Sequence, residues 1–177
     1  MNDLCLAQLP SPAMQASQLR ALQIIILAFA SGILAFTIVG VIVGPQSRQP
    51  VGNASAAPTD ISQVLLMALG GMGFFSMLML GLFIRPQMAR AAARAWQDRS
   101  AEGDEAAALK IWKFFQTRTI ITGAMVEGLG LFAAVIHFLT GSKPALIGVG
   151  VALIGLVWSF PTQGRWETFV RFATGQK

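Results

Sequence analysis

The chain has 177 residues, 54% of them hydrophobic and 12% charged, with a mean hydropathy of +0.62. Water-soluble domains carry about 25% charged residues, so half that share, gathered around long apolar runs, excludes an ordinary soluble globule and points to a helical membrane protein. The net charge of +5 lies mostly beside the apolar runs, which makes an anionic lipid surface its expected partner and not nucleic acid. A single cysteine, Cys5, and a single histidine, His137, rule out an intrachain disulfide, a Cys/His metal cluster and a bis-histidine haem site. No phosphate-binding glycine loop and no nucleophile elbow is present, so neither an enzyme nor a cofactor is expected.

The expected fold is all-α, a single integral membrane domain over 1–177 with four transmembrane helices at about 20–43, 61–85, 118–140 and 144–161. A run of this length in hydrocarbon must satisfy its own backbone hydrogen bonds, and the pattern does not alternate as a membrane strand would. The first twenty residues, with Pro10 and Pro12, are expected to be loosely ordered. The first apolar run is too long for the apolar part of a signal peptide, so it is expected to remain in the protein although Ala54-Ser55-Ala56 has the small residues of a cleavage site. The connection Gly44–Asp60 is rich in Pro, Gly, Ala and Ser and reads as flexible; Thr59 or Asp60 suits a helix cap, and Asn53-Ala54-Ser55 is a glycosylation sequon.

Basic residues set the orientation. Arg48 and Lys143 fall on one side of the four segments, and the other eleven Lys and Arg fall on the opposite side. Both termini and the second connection are therefore expected in the cytoplasm of a bacterial inner membrane. That connection, 86–118, is rich in Ala, Glu, Lys and Arg and reads as a helical hairpin that extends the second and third helices. The first arm is expected to run to about Ser100, with a kink at Pro86. Gly103 is the break, and Asp104 caps the second arm. Arg85, Arg90, Arg94, Lys110, Lys113 and Arg118 are candidate contacts to lipid headgroups. Trp96 and Trp112 either pack the two arms together or form a docking face. The tail 164–173 places Trp166, Phe169 and Val170 at helical spacing between Arg165 and Arg171, the pattern of a helix lying on the membrane surface.

Small residues recur four apart where helices in lipid approach closely: Ala28 and Gly32, Ala124 and Gly128, Gly130 and Ala134, Gly148 and Ala152, with Gly71 and Gly73 in the second helix. They are read as bundle packing or as an oligomer interface. Within the third helix, about 12 Å beyond Arg118, stands Glu127. A carboxyl at this depth costs roughly 2.5–3.5 kcal/mol on insertion scales, so it is expected to have a partner or a task. One reading is structural, with a bond to a hydroxyl such as Ser31, Thr37 or Ser76 on a neighbouring helix. The other is a proton or cation site. His137, near the outer end of the same helix, reads as an interfacial residue.

The segment Gly123-Ala-Met-Val-Glu127-Gly-Leu-Gly-Leu-Phe-Ala-Ala-Val-Ile136 resembles the carboxylate-bearing helix of rotary ATP synthase c subunits. The resemblance implies that Glu127 carries a proton or sodium ion. That family's polar Arg-Gln-Pro turn is absent here, and the basic hairpin stands in its place. Phe115-Gln-Thr-Arg-Thr-Ile120, with Phe160-Pro-Thr162, resembles a small uncharacterised family of bacterial four-helix membrane proteins, which implies topology and no activity. The expected role is a non-enzymatic structural or accessory subunit, as a homo-oligomer or within a larger membrane complex. The alternatives are a proton- or cation-conducting subunit centred on Glu127 and an anionic-lipid-binding protein.

Overall fold

The computed structural model describes residues 12–43, 59–98, 100 and 103–175, and its elements are all helical: α1 (Pro12–Val43), α2 (Thr59–Leu78), a π-helical turn (Met79–Ile84), α3 (Arg85–Gln97), α4 (Asp104–Thr140), α5 (Lys143–Trp158) and α6 (Gln163–Thr174). The connection 44–58 with its sequon, the residues before Pro12 and the side chains of Thr59 and Asp60 lie outside the described residues. Three stretches, Ala16–Val43, Gln63–Gln97 and Asp104–Thr140, are long and apolar enough to cross a membrane, or four if α5 and α6 together form one broken span. The described elements are thus all helical, with the number and length of apolar helices that an all-α polytopic membrane protein requires.

Several boundaries differ from expectation for local reasons. α1 begins at Pro12, so residues 12–20 are helical, and proline is tolerated there because a first turn has no use for its missing N–H. Pro86 produces no break. The Arg85 N–H reaches back to the Leu80 carbonyl across a widened π turn, which makes room for the proline ring and keeps the chain helical. α3 ends at Gln97, short of Ser100, where the Asp98 N–H closes on the Arg94 carbonyl at 3.0 Å. Gly103 takes φ 91° and its carbonyl accepts from the Ala107 N–H at 3.2 Å, so α4 starts at Asp104 as expected, but Gly103 and not Asp104 holds the capping position. α4 stops at Gly141, with φ 69° and its N–H on the His137 carbonyl at 2.8 Å. α5 ends at Trp158 and not near 161, because Pro161 cannot extend it. The Pro161 carbonyl is met by Gln23 Nε2 at 3.1 Å, a polar contact that α1 supplies from within an apolar run.

The described residues group into two compact units, 12–25 with 78–98, 100, 103–122 and 160–175, and 26–43 with 59–77 and 123–159. The first is built on aromatic rings. Trp112 and Trp166 meet edge to face with centroids 4.9 Å apart, and Phe115 lies 5.3 Å from Trp166 and 5.6 Å from Phe169. Leu19, Leu22, Ala92, Trp96, Ala107 and Ile111 join the same buried cluster. Trp96 and Trp112 are therefore core residues and not a docking face. The apolar stripe of α6 is also spent here: Trp166, Phe169, Val170 and Ala173 are buried against protein, where the sequence pattern pointed to lipid. The spacing is the same for either destination, and the rings of α4 supply edge-to-face partners for it.

In the second unit the packing order sets helix directions. Going up α1, Ile26, Gly32, Ile33 and Gly40 meet Gly123, Glu127, Gly130 and Phe138 of α4 in the same order, so the two helices run parallel. Along α5, Gly148, Ala152 and Gly155 meet Ala133, Gly130 and Val126 in reverse order, so α4 and α5 run antiparallel. These are the directions required of first, third and fourth spans.

Trp166→Ala is expected to lower stability by roughly 3–5 kcal/mol, the usual cost of emptying a buried aromatic site. Trp158→Ala, whose side chain is 72% exposed, should leave it nearly unchanged. Thermal unfolding in mild detergent, followed by circular dichroism, reads both.

Candidate functional site

The site is built on the seam between α1 and α4. Two glycines of α4, Gly123 and Gly130, stand seven residues apart and each receives an isoleucine of α1, Ile26 and Ile33, also seven apart. A Cβ on Gly123 would lie 2.6 Å from Ile26 Cδ1, and one on Gly130 would lie 2.6 Å from Ile33 Cδ1 and 2.9 Å from Ala152 Cβ. The missing side chains are what let the backbones approach. Ala133 and Ala134 are buried beside Gly130, and Phe36 and Phe138 close the far end of the seam with ring centroids 6.5 Å apart.

Between the two notches the α1–α4 seam holds Glu127. It is half-buried, and a Cβ on Gly32 would lie 3.3 Å from its Oε1, so the absence of a side chain at Gly32 makes room for the carboxyl. Of the three hydroxyls expected to meet it, Ser76 of α2 is buried without a hydrogen bond to it, and the other two are used elsewhere. Ser31 Oγ donates to the Ala28 carbonyl at 2.8 Å, and Thr37 Oγ1 donates to the Ile33 carbonyl at 2.7 Å. Serine and threonine in a helix reach their own preceding turn at little entropic cost. Among the described residues, none donates a hydrogen bond to Glu127. The next positions on its helix, Ala124 and Gly128, are exposed, and a Cβ on Gly128 would have no neighbour within 4 Å.

The other candidate packing residues divide cleanly. Gly32, Gly130, Ala134, Gly148 and Ala152 stand at close approaches or are buried. Ala28 is exposed, and Gly71 and Gly73 face open space out to 4 Å. The stretch Gln63–Gln97, which runs from α2 through the π turn into α3, spends little of its surface on this chain: 11% of its apolar window is buried, against 39% for α4, and α2 meets α5 at Leu69 and Gly148 and not at its glycines. Gly123 and Gly155 were not candidates, yet both are contact points, Gly155 against Val126 Cγ1 at 3.1 Å. Their signal was a match across helices and not a spacing of four within one.

His137 Nδ1 lies 3.1 Å from the Ser142 carbonyl, which accepts its hydrogen bond and ties the end of α4 to the start of α5. Among the basic residues, Arg85, Arg90, Arg94, Lys110 and Lys113 are exposed, whereas Arg118 is half-buried with its guanidinium 5.6 Å from the centre of the Phe169 ring. Among the described residues no three His, Cys, Asp or Glu side chains are placed to hold a metal ion. No family model, curated protein or solved structure matches the chain, and the likeness of residues 123–136 to a c-subunit helix stands on that segment alone.

Gly130→Ala is expected to cost about 1–3 kcal/mol, because the Ile33 methyl can rotate aside but the Ala152 Cβ cannot. Gly128→Ala should cost nothing measurable in the isolated chain. Circular dichroism melting of the two variants side by side checks the difference.

Proposed function

We propose that this chain is a non-enzymatic structural or accessory subunit of a membrane assembly, either a homo-oligomer or part of a larger complex, with both termini on the cytoplasmic side of a bacterial inner membrane. The observation that carries the reading is Glu127: an intramembrane carboxyl with no hydrogen-bond donor among the described residues, flanked by the exposed small residues Ala124 and Gly128. Hydrocarbon offers such a group nothing, and small neighbours allow a second backbone to come close enough to serve it. Apposition of a partner helix on this face satisfies the carboxyl and buries the open positions in one step. The largely uncovered surface of α2 supports the same reading.

The rival role, proton or cation conduction through Glu127, rests on the same residue and separates from assembly by one substitution. In native mass spectrometry after gentle detergent extraction, wild-type protein is expected in a stoichiometric complex. Glu127→Gln should weaken that complex by about three- to thirtyfold, corresponding to an interhelical hydrogen bond of roughly 0.6–2 kcal/mol. Gly128→Leu should dissociate it while the chain stays folded. Lost proton flux with the complex intact would instead establish conduction.

A further inference from the structure

The first unit gathers three guanidinium groups from three helices. Arg118 of α4 is half-buried over the Phe169 ring of α6, with its guanidinium 5.6 Å from the ring centre. Arg165 is on that same helix, four residues before Phe169, and therefore on the same face. Arg85 opens α3, which packs on α6. Arg85 and Arg165 are both close enough to act electrostatically on Arg118, and both act as like charges. Among the described residues no carboxylate pairs with any of the three. Glu167, the acidic residue of α6, accepts a hydrogen bond from Gln163 at 3.1 Å. Arg165 also stands in the first turn of α6, the positive end of its dipole.

Arg118, partly withdrawn from water, thus feels two like charges with no carboxylate among the described residues to offset them. Such an arrangement is stable when an anion sits among them. Arginine is suited to phosphate because its planar fork gives two parallel charge-assisted hydrogen bonds. The position of the trio in the chain identifies the source. Arg85 directly follows the apolar run that ends at Ile84, Arg118 directly precedes the run that begins at Thr119, and Arg165 follows the break after α5. Each is thus the first basic residue at the cytoplasmic end of its apolar segment, at the level of lipid headgroups.

We infer that Arg85, Arg118 and Arg165 form a binding site for the phosphate of an anionic lipid headgroup. Of the six basic residues singled out from the sequence, the site uses Arg85 and Arg118. It adds Arg165, and leaves Arg90, Arg94, Lys110 and Lys113 outside.

The test is native mass spectrometry of the full chain, delipidated in mild detergent and titrated separately with phosphatidylglycerol, phosphatidylcholine and inorganic phosphate. Wild-type protein is expected to retain phosphatidylglycerol at least tenfold better than phosphatidylcholine, which shares the phosphate but carries no net charge. Arg165→Gln, an exposed substitution that the fold tolerates, should reduce retention by about tenfold, the worth of one charge-assisted contact. Arg118→Gln should do the same, with circular dichroism as the check on folding, and Arg118→Lys should recover only part of the loss. The double variant Arg90→Gln with Arg94→Gln should change nothing. Retention of phosphatidylglycerol in the presence of millimolar inorganic phosphate supports the headgroup as ligand. Complete displacement by inorganic phosphate would assign the site to the free anion and overturn the lipid. Equal retention of the two lipids, or an equal loss in the Arg90/Arg94 variant, would overturn the site itself.

Discussion

Inside hydrocarbon a polar group finds its hydrogen bonds in protein or goes without them, and this requirement organises what the chain does with several of its intramembrane polar residues. Ser31, Thr37 and Thr140 return their hydroxyls to carbonyls of their own helices. Gln23 crosses to the carbonyl of Pro161, where the chain breaks between two helices and a backbone acceptor is released. His137 holds the Ser142 carbonyl in the tight turn between α4 and α5. Glu127 has no donor among the described residues, nor do the buried Ser76 and Thr122 have a partner there, but a carboxyl carries the greatest cost. Glu127 is the ionisable group among these three, and hydrocarbon makes it the costliest to leave unserved, so its donor is expected to come from another molecule.

The same environment removes the usual reason for helices to associate, since lipid tails are as apolar as leucine. What remains is close contact, and the second unit obtains it by leaving atoms out. Gly123 and Gly130 open notches for Ile26 and Ile33, and Gly32 opens room for the carboxyl of Glu127. The first unit uses the opposite means, with large rings in edge-to-face contact around Trp166. Glycine notches make a seam that resists any added methyl group, while the aromatic cluster fills its volume with side chains.

Features that depend on neighbouring residues in the chain were legible in the sequence. The apolar runs, the break at Gly103, the start of α4 at Asp104 and the existence of the tail helix all follow from local composition and turn chemistry. Features that depend on what lies opposite were not. The stripe of α6 has the same spacing whether it meets lipid or Phe115. The glycines of α2 and those of α4 are equally small, but Gly71 and Gly73 have no neighbour within 4 Å, whereas Gly123 and Gly130 face side chains of α1. The π turn before Pro86 was hidden for a different reason: a proline signals disturbance, but not whether the helix bends or widens to absorb it. Glu127 could be found from the sequence because a carboxylate in an apolar run is conspicuous; its lack of a donor could be seen only once Ser31 and Thr37 were placed.

The central claim, that the Glu127 face of α4 is met by another protein chain, is open to direct measurement in the native membrane. Cys5 is the sole cysteine, so Cys5→Ser gives a background into which one reporter can be placed at a time. Gly128→Cys puts a thiol beside Glu127, and Ile154→Cys puts one on α5 where the side chain is 68% exposed. Each is coupled to a short photoactivatable thiol reagent and irradiated in intact membranes. A discrete cross-linked species of fixed stoichiometry from position 128, absent from position 154, is the predicted result. Cross-linking at 128 to lipid alone, or no more protein capture there than at 154, would contradict the account.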